Sequence, residues 1–564
     1  MREQRPFWPK QLDAWVIRRR RSEVNRKQSS AGDRNQRVMK RRRTSLRAGV
    51  AVIGGRAAGA LSRRLHLGGG TSIVGIVAQR LYPGIVGHLA GQLEHGSVMV
   101  TGTNGKTTTS GFIAAILRDA GLRVWHNREG SNLMSGVASS LVIRALPNGN
   151  LRGKGRAISI LEIDEAVVSQ AVQTIPPRVA VFTNLFRDQL DRYGEVDTVA
   201  ARWRGAVESL PASTTLVLNA DDPTIAYLGE LCKGQVIYFG IDDPTVDLAR
   251  QGKASERHQV IDTRTCQRCG SEYTYTLRLY SHMGHYHCSN CGLVRPQPDI
   301  RAINIHPEGF DRLRVRVATA TVEHDVVVPL PGLYNVYNTL AAITVAQALQ
   351  INWDPIVTGV EQFKPAFGRG ERVQVEGRNV RLLLAKNPTG FNEVLRTLFS
   401  NGTPRNVLFV LNDNVADGRD VSWIWDVDFE WVVQQTTTLV VAGSRTLDLA
   451  LRLKYAGVEQ RDMTIVPPAP LRTLKQEAVS HLRLKLKQVT KVRQPSLANG
   501  KVNIVEPRAH TEAPRLYGIT EALDAAVHQT PAGETLFIVP TYTGLLEIHQ
   551  ELERRGLTPH YWEG

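Results

Sequence analysis

Residues 101–109 read Thr-Gly-Thr-Asn-Gly-Lys-Thr-Thr-Thr, a run whose residue types suit a polyphosphate. Gly102 and Gly105 let the backbone turn tightly, Lys106 can reach β- and γ-oxygens, and the Thr107 hydroxyl can ligate Mg²⁺. The apolar run Ser97–Thr101 precedes the turn, and Ile113, Ile116 and Leu117 keep one helical face apolar after it. A strand, a Gly-rich turn and a helix N-terminus aim backbone N–H groups at an anion, so ATP or GTP binding is expected. The strict spacing of the general motif needs Gly at position 100, where Val100 stands, so this is the tighter Gly-Thr-Asn-Gly-Lys-Thr form. The expected nucleotide contacts are Gly102, Thr103, Asn104, Gly105, Lys106, Thr107 and Thr108. Glu162, at the end of the apolar run Ala157–Ile163, is a carboxylate that can hold Mg²⁺ together with Thr107.

A second group of residues has metal chemistry. Cys266-Gln-Arg-Cys269 and Cys288-Ser-Asn-Cys291 are two Cys-x-x-Cys pairs 18 residues apart, each followed by Gly. That is the pattern of a zinc ribbon, and four cysteines make a closed, structural site. His282, His285 and His287 lie nearby and could serve as alternative ligands, but surface positions on the ribbon loop are expected for them. With Cys232 apart, the five cysteines speak for metal in a reducing compartment rather than a disulfide framework.

These residues need elements to position them. Strand-like runs at Ser97–Thr101, Ala157–Ile163, Val179–Phe182 and Thr215–Leu218 alternate with helical stretches, which predicts an α/β domain with a mainly parallel sheet. A second such series, Val380–Leu384, Asn406–Leu411, Thr438–Ala442 and Thr535–Pro540, follows a hinge at Phe367-Gly368-Arg369-Gly370. The chain of 564 residues carries a net charge of +17, but residues 1–43 hold 15 Lys/Arg against 4 Asp/Glu and residues 470–515 hold 10 against 3. The rest is close to neutral, so basicity belongs to appendages and not to a nucleic-acid-binding body. The expected organisation is a basic disordered arm over 1–43, an ATP-binding domain over 44–366 with a ribbon inserted at about 260–296, and a C-terminal α/β domain over 367–564 with a basic insertion at about 470–515. The longest apolar stretch, Ala48 to Leu61, is broken by Arg56 and falls short of a membrane span.

Gly102-Thr-Asn-Gly-Lys-Thr107 resembles the loop of the Mur ligases and folylpolyglutamate synthases, and further landmarks fall in that family's order: Leu161-Glu162-Ile-Asp-Glu165, Thr183-Asn184-Leu185, Asn219-Ala-Asp221-Asp222-Pro223, Gly332-Leu-Tyr-Asn335-Val-Tyr-Asn338 and Gly368-Arg369. Only about 58 residues separate the basic arm from Gly102, too few for the domain that binds a UDP-linked substrate in ordinary Mur ligases. The short N-terminus, the ribbon, Leu384-Ala-Lys386-Asn387-Pro388 and Asp413-Asn-Val-Ala-Asp417-Gly-Arg-Asp420-Val-Ser-Trp423 together resemble the MurT family, the ligase subunits of lipid II isoglutaminyl synthase.

The resemblance implies a P-loop Mur-ligase-like central domain with an inserted zinc ribbon and a Rossmann-like C-terminal domain. It also implies ATP, Mg²⁺ and structural Zn²⁺, with Lys106 and Glu162 catalytic, Asn338, which opens the helix expected over 338–349, at the nucleobase region, and Arg369 as a further nucleotide contact. The implied reaction activates the α-carboxylate of D-glutamate in the lipid II stem as an acyl-phosphate and amidates it with ammonia from a glutaminase subunit, GatD, whose triad Asp420 would complete, with Asp417 as fallback. Such an enzyme works in the cytoplasm at the inner face of the membrane. The alternative is a stand-alone amino-acid ligase of the Mur or folylpolyglutamate type. Against it, those enzymes carry His where Tyr334 stands and Asp-Tyr-Ala-His where this chain has Leu384-Ala-Lys386-Asn387-Pro388.

Overall fold

In the computed structural model, the described residues are 31–64, 71–127, 132–153, 155–188, 196–247, 261–365, 368–468 and 518–558. The chain forms two compact units. The first is helical: Ala31–Arg64, Thr71–Leu81, Ile85–Ala90 and Met134–Arg144 pack through small residues. A Cβ on Gly55 would meet the Val74 carbonyl at 2.6 Å, and one on Gly75 the Ser135 carbonyl at 1.9 Å. Arg56, which interrupts the apolar run, donates to the carbonyls of Ile143 and Ala145 and so satisfies a helix end. Two expectations are corrected here. Residues 31–43 are helical, so the basic run Lys40–Arg43 continues into ordered helix instead of ending a disordered arm, whose first 30 residues lie outside the described residues. The stretch after residue 44 also packs as its own helical unit instead of opening the nucleotide-binding domain. Among the described residues no helix is long and apolar enough to cross a membrane.

The second unit holds two sheets and a hairpin. Strands β1 (Ser97–Thr101), β2 (Arg123–His126), β3 (Ala157–Glu162), β4 (Val179–Phe182), β5 (Thr215–Asn219) and β6 (Val236–Ile241) run parallel. After the hairpin β7 (Thr274–Tyr280) and β8 (Met283–His287), strands β9 (Ile300–Glu308), β10 (Arg312–Ala318) and β11 (Glu323–Val328) extend the sheet, giving the order β11-β10-β9-β6-β5-β4-β1-β3-β2. Strands β1, β3 and β4 are buried at every residue, as a parallel sheet covered on both faces requires. The helix Leu333–Ala348 packs on this sheet beside the helix Lys106–Asp119.

The second sheet comprises β12 (Arg369–Val375), β13 (Arg378–Leu383), β14 (Arg405–Val410), β15 (Thr436–Ala442), β16 (Thr464–Ile465) and β17 (Thr535–Pro540), in the order β12-β13-β17-β14-β15-β16. Alternate residues serve opposite cores. Val407, Phe409, Val441 and Phe537 face the helices Pro388–Phe399 and Thr446–Ala456, whereas Leu408, Val410, Val440 and Ile538 face Ile519–Gln529 and Tyr542–Arg554. Phe367 of the expected hinge and the insertion 470–515 lie outside the described residues.

Candidate active site

The loop after β1 turns because two glycines permit it. Gly102 (φ 144°) and Gly105 (φ 83°) adopt conformations that L side chains rarely reach, and a Cβ would stand 2.0 Å from Thr183 Oγ1 and from Asn338 Oδ1, respectively. The helix Lys106–Asp119 begins directly after Gly105 with no side-chain cap, so its first N–H groups are available to an anion. The loop is tied down from outside. Thr103 N–H donates to the Asn184 carbonyl (3.1 Å), Asn104 N–H to Asn184 Oδ1 (2.9 Å), and Asn184 Nδ2 returns to the Asn104 carbonyl (3.0 Å). The Thr103 hydroxyl is committed to the backbone of Phe186.

Two carboxylates from the end of β3 meet the start of the helix. Thr107 Oγ1 donates to Glu162 Oε1 (3.0 Å), and a reciprocal pair between Asn127 and the Glu162 backbone (2.8 and 2.9 Å) holds the strand end. Glu162 is 6% exposed, and no Lys, Arg or His among the described residues is within ion-pair distance of it. A buried carboxylate beside a hydroxyl, lacking a cation, is a donor set that fits Mg²⁺. Three residues on, Glu165 is equally buried but paired: Lys106 Nζ lies 2.9 Å from its Oε1 and 2.5 Å from the Gly102 carbonyl. Burial pushes the Glu165 carboxyl up, and Lys106 pulls it partly back. Glu165 was not among the expected site residues, because its pairing with Lys106 spans 59 positions and leaves no mark on local spacing.

Asn338 also moves relative to expectation. The helix starts at Leu333, after Gly332 (φ 87°), so Asn338 lies in its second turn instead of opening it. There it accepts from Thr109 Oγ1 (3.2 Å), donates to Asn335 Oδ1 (3.0 Å) and abuts Gly105. These groups border a cavity of about 390 Å³ whose far wall comes from the C-terminal half, including Lys386, Glu393, Ala416 and Tyr542. Asn104 and Asn387 exchange amide hydrogen bonds (3.3 and 3.0 Å), and Lys386 Nζ sits 2.5 Å from Asp188 Oδ2, so the two sheets meet across the cavity through polar groups. Arg369 opens β12, and its side chain lies outside the described residues.

Residues 100–294 match the family model described as Mur ligase middle domain, and residues 384–491 match MurT ligase C-terminal. The chain is 33% identical over 391 residues to the lipid II isoglutaminyl synthase (glutamine-hydrolyzing) subunit MurT of Staphylococcus aureus (strain COL), covering 69% of this chain and 84% of that protein. It is 31% identical to the subunit of the same name from Streptococcus pneumoniae (strain ATCC BAA-255 / R6), covering 74% and 89%. The chain belongs to the MurT family. Its fold is that of Mur-type ligases: the pseudomurein peptide ligase type C of Methanothermus fervidus superposes with a TM-score of 0.55 at 21% identity, covering 81% of this chain and 78% of that one.

Within the MurT-family C-terminal segment, the two aspartates weighed from sequence part company. Asp417 is buried; it accepts from Thr543 N–H (2.8 Å) and from the Thr543 hydroxyl, and burial raises its carboxyl to about 6. Asp420 is exposed, outside the cavity lining, and accepts from Ser422 N–H (2.8 Å) at the start of a short 3₁₀ turn, Ser422–Asp426. That N–H holds its carboxyl below the ordinary value.

The ribbon of this MurT-family chain brings its thiols together. All four Sγ atoms lie within 4.8 Å of one another, with Cys266–Cys291 and Cys269–Cys288 each at 3.5 Å. Sulfurs around one tetrahedral zinc stand about 3.8 Å apart, so the quartet fits a structural Zn²⁺. Each knuckle repeats one pattern: Gly270 (φ 76°) donates to the Cys266 carbonyl and Gly292 (φ 74°) to that of Cys288. The histidines belong elsewhere. His285 donates toward Ile241 and Asp242, His287 meets Thr274, and His282, expected on the surface, is fully buried.

Proposed function

We propose that this chain is the ligase subunit of a lipid II isoglutaminyl synthase: it amidates the α-carboxylate of the stem-peptide D-glutamate to D-isoglutamine, using ATP and ammonia supplied by a separate glutaminase subunit, GatD. The observation that carries this reading is the membership in the MurT family, joined to a phosphate loop whose cavity extends to Ala416, four residues before Asp420.

The chemistry follows from the side chains. The γ-phosphate of ATP lies over the loop, where the helix N-terminus and Lys106 stabilise negative charge on the transferring group. To reach it, Lys106 exchanges Glu165 for phosphate oxygen. Mg²⁺, held by Thr107 and Glu162, would neutralise charge on the β- and γ-phosphates. A carboxylate oxygen of the stem glutamate attacks the γ-phosphorus and ADP leaves. Ammonia then attacks the acyl carbon, phosphate departs, and the nitrogen gives up a proton. Asn338 and Arg369 are assigned to the nucleotide. Asp420, exposed and ionised, is suited to orient the catalytic histidine of the partner, the role a carboxylate plays in a triad. This reading sets the reaction in the cytoplasm, where ATP is supplied, at the inner membrane face, and assigns the basic segments 1–43 and 470–515 to anionic head groups.

The test is ATP-dependent amidation of lipid II, with ammonium alone or with glutamine and the glutaminase. A mass decrease of about one unit (OH replaced by NH₂), abolished by Lys106→Ala, is the expected result. Transfer of an amino acid instead of ammonia would support the stand-alone ligase and sink this proposal.

A further inference from the structure

The ribbon hairpin is joined to the phosphate loop by a buried chain of contacts that the proposed chemistry does not use. His282, between β7 and β8, is fully buried, with Nε2 3.2 Å from Asp222 Oδ2. The same carboxylate oxygen accepts from Leu185 N–H (2.9 Å), while Asp262 accepts from Arg187 N–H (3.0 Å). Between those residues the Phe186 ring packs on the His282 imidazole, centroids 4.9 Å apart. The Phe186 N–H donates to Thr103 Oγ1 (3.0 Å), and that hydroxyl donates back to the Phe186 carbonyl (3.1 Å). Three successive residues, 185–187, are thereby pinned around one histidine and hold Thr103 of the loop.

Burial alone would lower the His282 imidazole, but Asp222, aided by Asp262, outweighs it and keeps the ring protonated more readily than a free histidine. Removing the imidazole would leave the fully buried Asp222 carboxylate without the ring beside it, and losing the partner of a buried carboxylate is costly. The Tyr275 hydroxyl also donates to the His282 carbonyl (2.9 Å), fixing the residue to the hairpin rather than to the loop it supports.

We propose that the zinc ribbon is a strut for the phosphate loop, and that His282 is the positioning residue through which it sets the loop's geometry for nucleotide. The inference rests on the nucleotide-binding reading above. It is tested on the full chain by titrating a fluorescent ATP analogue, with bound zinc measured in parallel. His282→Ala is expected to weaken nucleotide binding about tenfold while keeping its zinc, since His282 is not a thiol ligand. His282→Gln, whose amide can approach Asp222 as the ring does, should recover most of the affinity. Thr103→Val should weaken binding similarly, and the double variant His282→Ala/Thr103→Val should lose no more than either single one. A merely structural histidine would show additive losses and no rescue by Gln. If His282→Ala does not fold, Phe186→Ala interrogates the same link from the loop side. Parental affinity in His282→Ala or Phe186→Ala, or loss of zinc along with affinity, overturns this inference alone. Failure of the parent to bind the analogue overturns the nucleotide reading and this inference together.

Discussion

The phosphate-loop cavity and the Asp417–Asp420 turn are both rich in carboxylates, yet they are built differently. In the cavity, Glu162 and Glu165 are about 95% inaccessible and fixed by side chains from two separate segments, Lys106 and Thr107 at the helix start and Asn127 after β2. In the turn, Asp417 is equally enclosed, whereas Asp420 stands at the surface on one backbone hydrogen bond. Groups that act on a substrate of their own chain are preorganised by the surrounding fold. A group that completes another protein's site has to be left reachable, so its remaining partners come from outside. On the proposed assignment of Asp420, the contrast would separate a self-contained half of the reaction, acyl activation, from a half that needs a second subunit.

The largest expected effect breaks both halves at once. Lys106→Ala removes the cation from the loop and leaves Glu165 buried without a partner, so amidation should fall by roughly 10³-fold or more with either nitrogen source, read as the initial rate of amide formation. Asp420→Ala should break only the second half. Glutamine-dependent amidation is expected to drop by about 10²–10⁴-fold, as for loss of a triad carboxylate, with ammonium-dependent amidation within about twofold of the parent. Equal loss with both nitrogen sources would place Asp420 in the ligase chemistry and erase the contrast.

The sequence made much of this contrast legible where the information is local. The Gly102–Thr108 loop, the paired cysteines and eight strands of the two sheets announce themselves locally, because turn geometry, metal ligation and continuous apolar runs act over a few residues. What spacing could not reveal are pairings set by topology. Lys106–Glu165 forms because β3 lies beside β1 in the sheet, and His282–Asp222 because the hairpin lies against the end of β5. A histidine near a cysteine knuckle looks like a surface residue or spare ligand until its neighbours from position 222 are known. The helical nature of residues 31–43 was hidden because charge and low hydrophobicity suggest disorder even where Ala, Arg, Lys and Met are good helix formers.

A smaller effect sharpens the role of the paired acid. Glu165→Gln leaves Lys106 buried without its counter-charge, which raises the free energy of the empty loop more than that of the nucleotide-bound one. The melting temperature of the empty protein should fall, saturating ATP should restore most of it, and nucleotide affinity should rise about fivefold, roughly 1 kcal/mol. Weaker nucleotide binding in this variant would mean that Glu165 contributes directly to the bound state.

The smallest effect concerns Asp417, the enclosed member of the turn. Its carboxyl is raised from 3.8 to about 6 by burial, so between those values the unfolded chain has released a proton that the folded chain still holds. Stability from this group is therefore fully present below about pH 4, falls as pH rises toward 6 and is flat above it, a loss on the order of 1–3 kcal/mol. Asp417→Asn keeps an amide oxygen for the Thr543 N–H and removes the ionisation. The variant should match the parent within about 1 kcal/mol near pH 4 and gain relative to it up to pH 7, measured as the difference in denaturant midpoints across that range. Because Asp420 is exposed, Asp420→Asn should show no such pH-dependent gain. If Asp417→Asn instead destabilises the protein at pH 7 and abolishes the glutamine-dependent reaction, the buried aspartate is ionised at work, and the contrast between the two residues reverses.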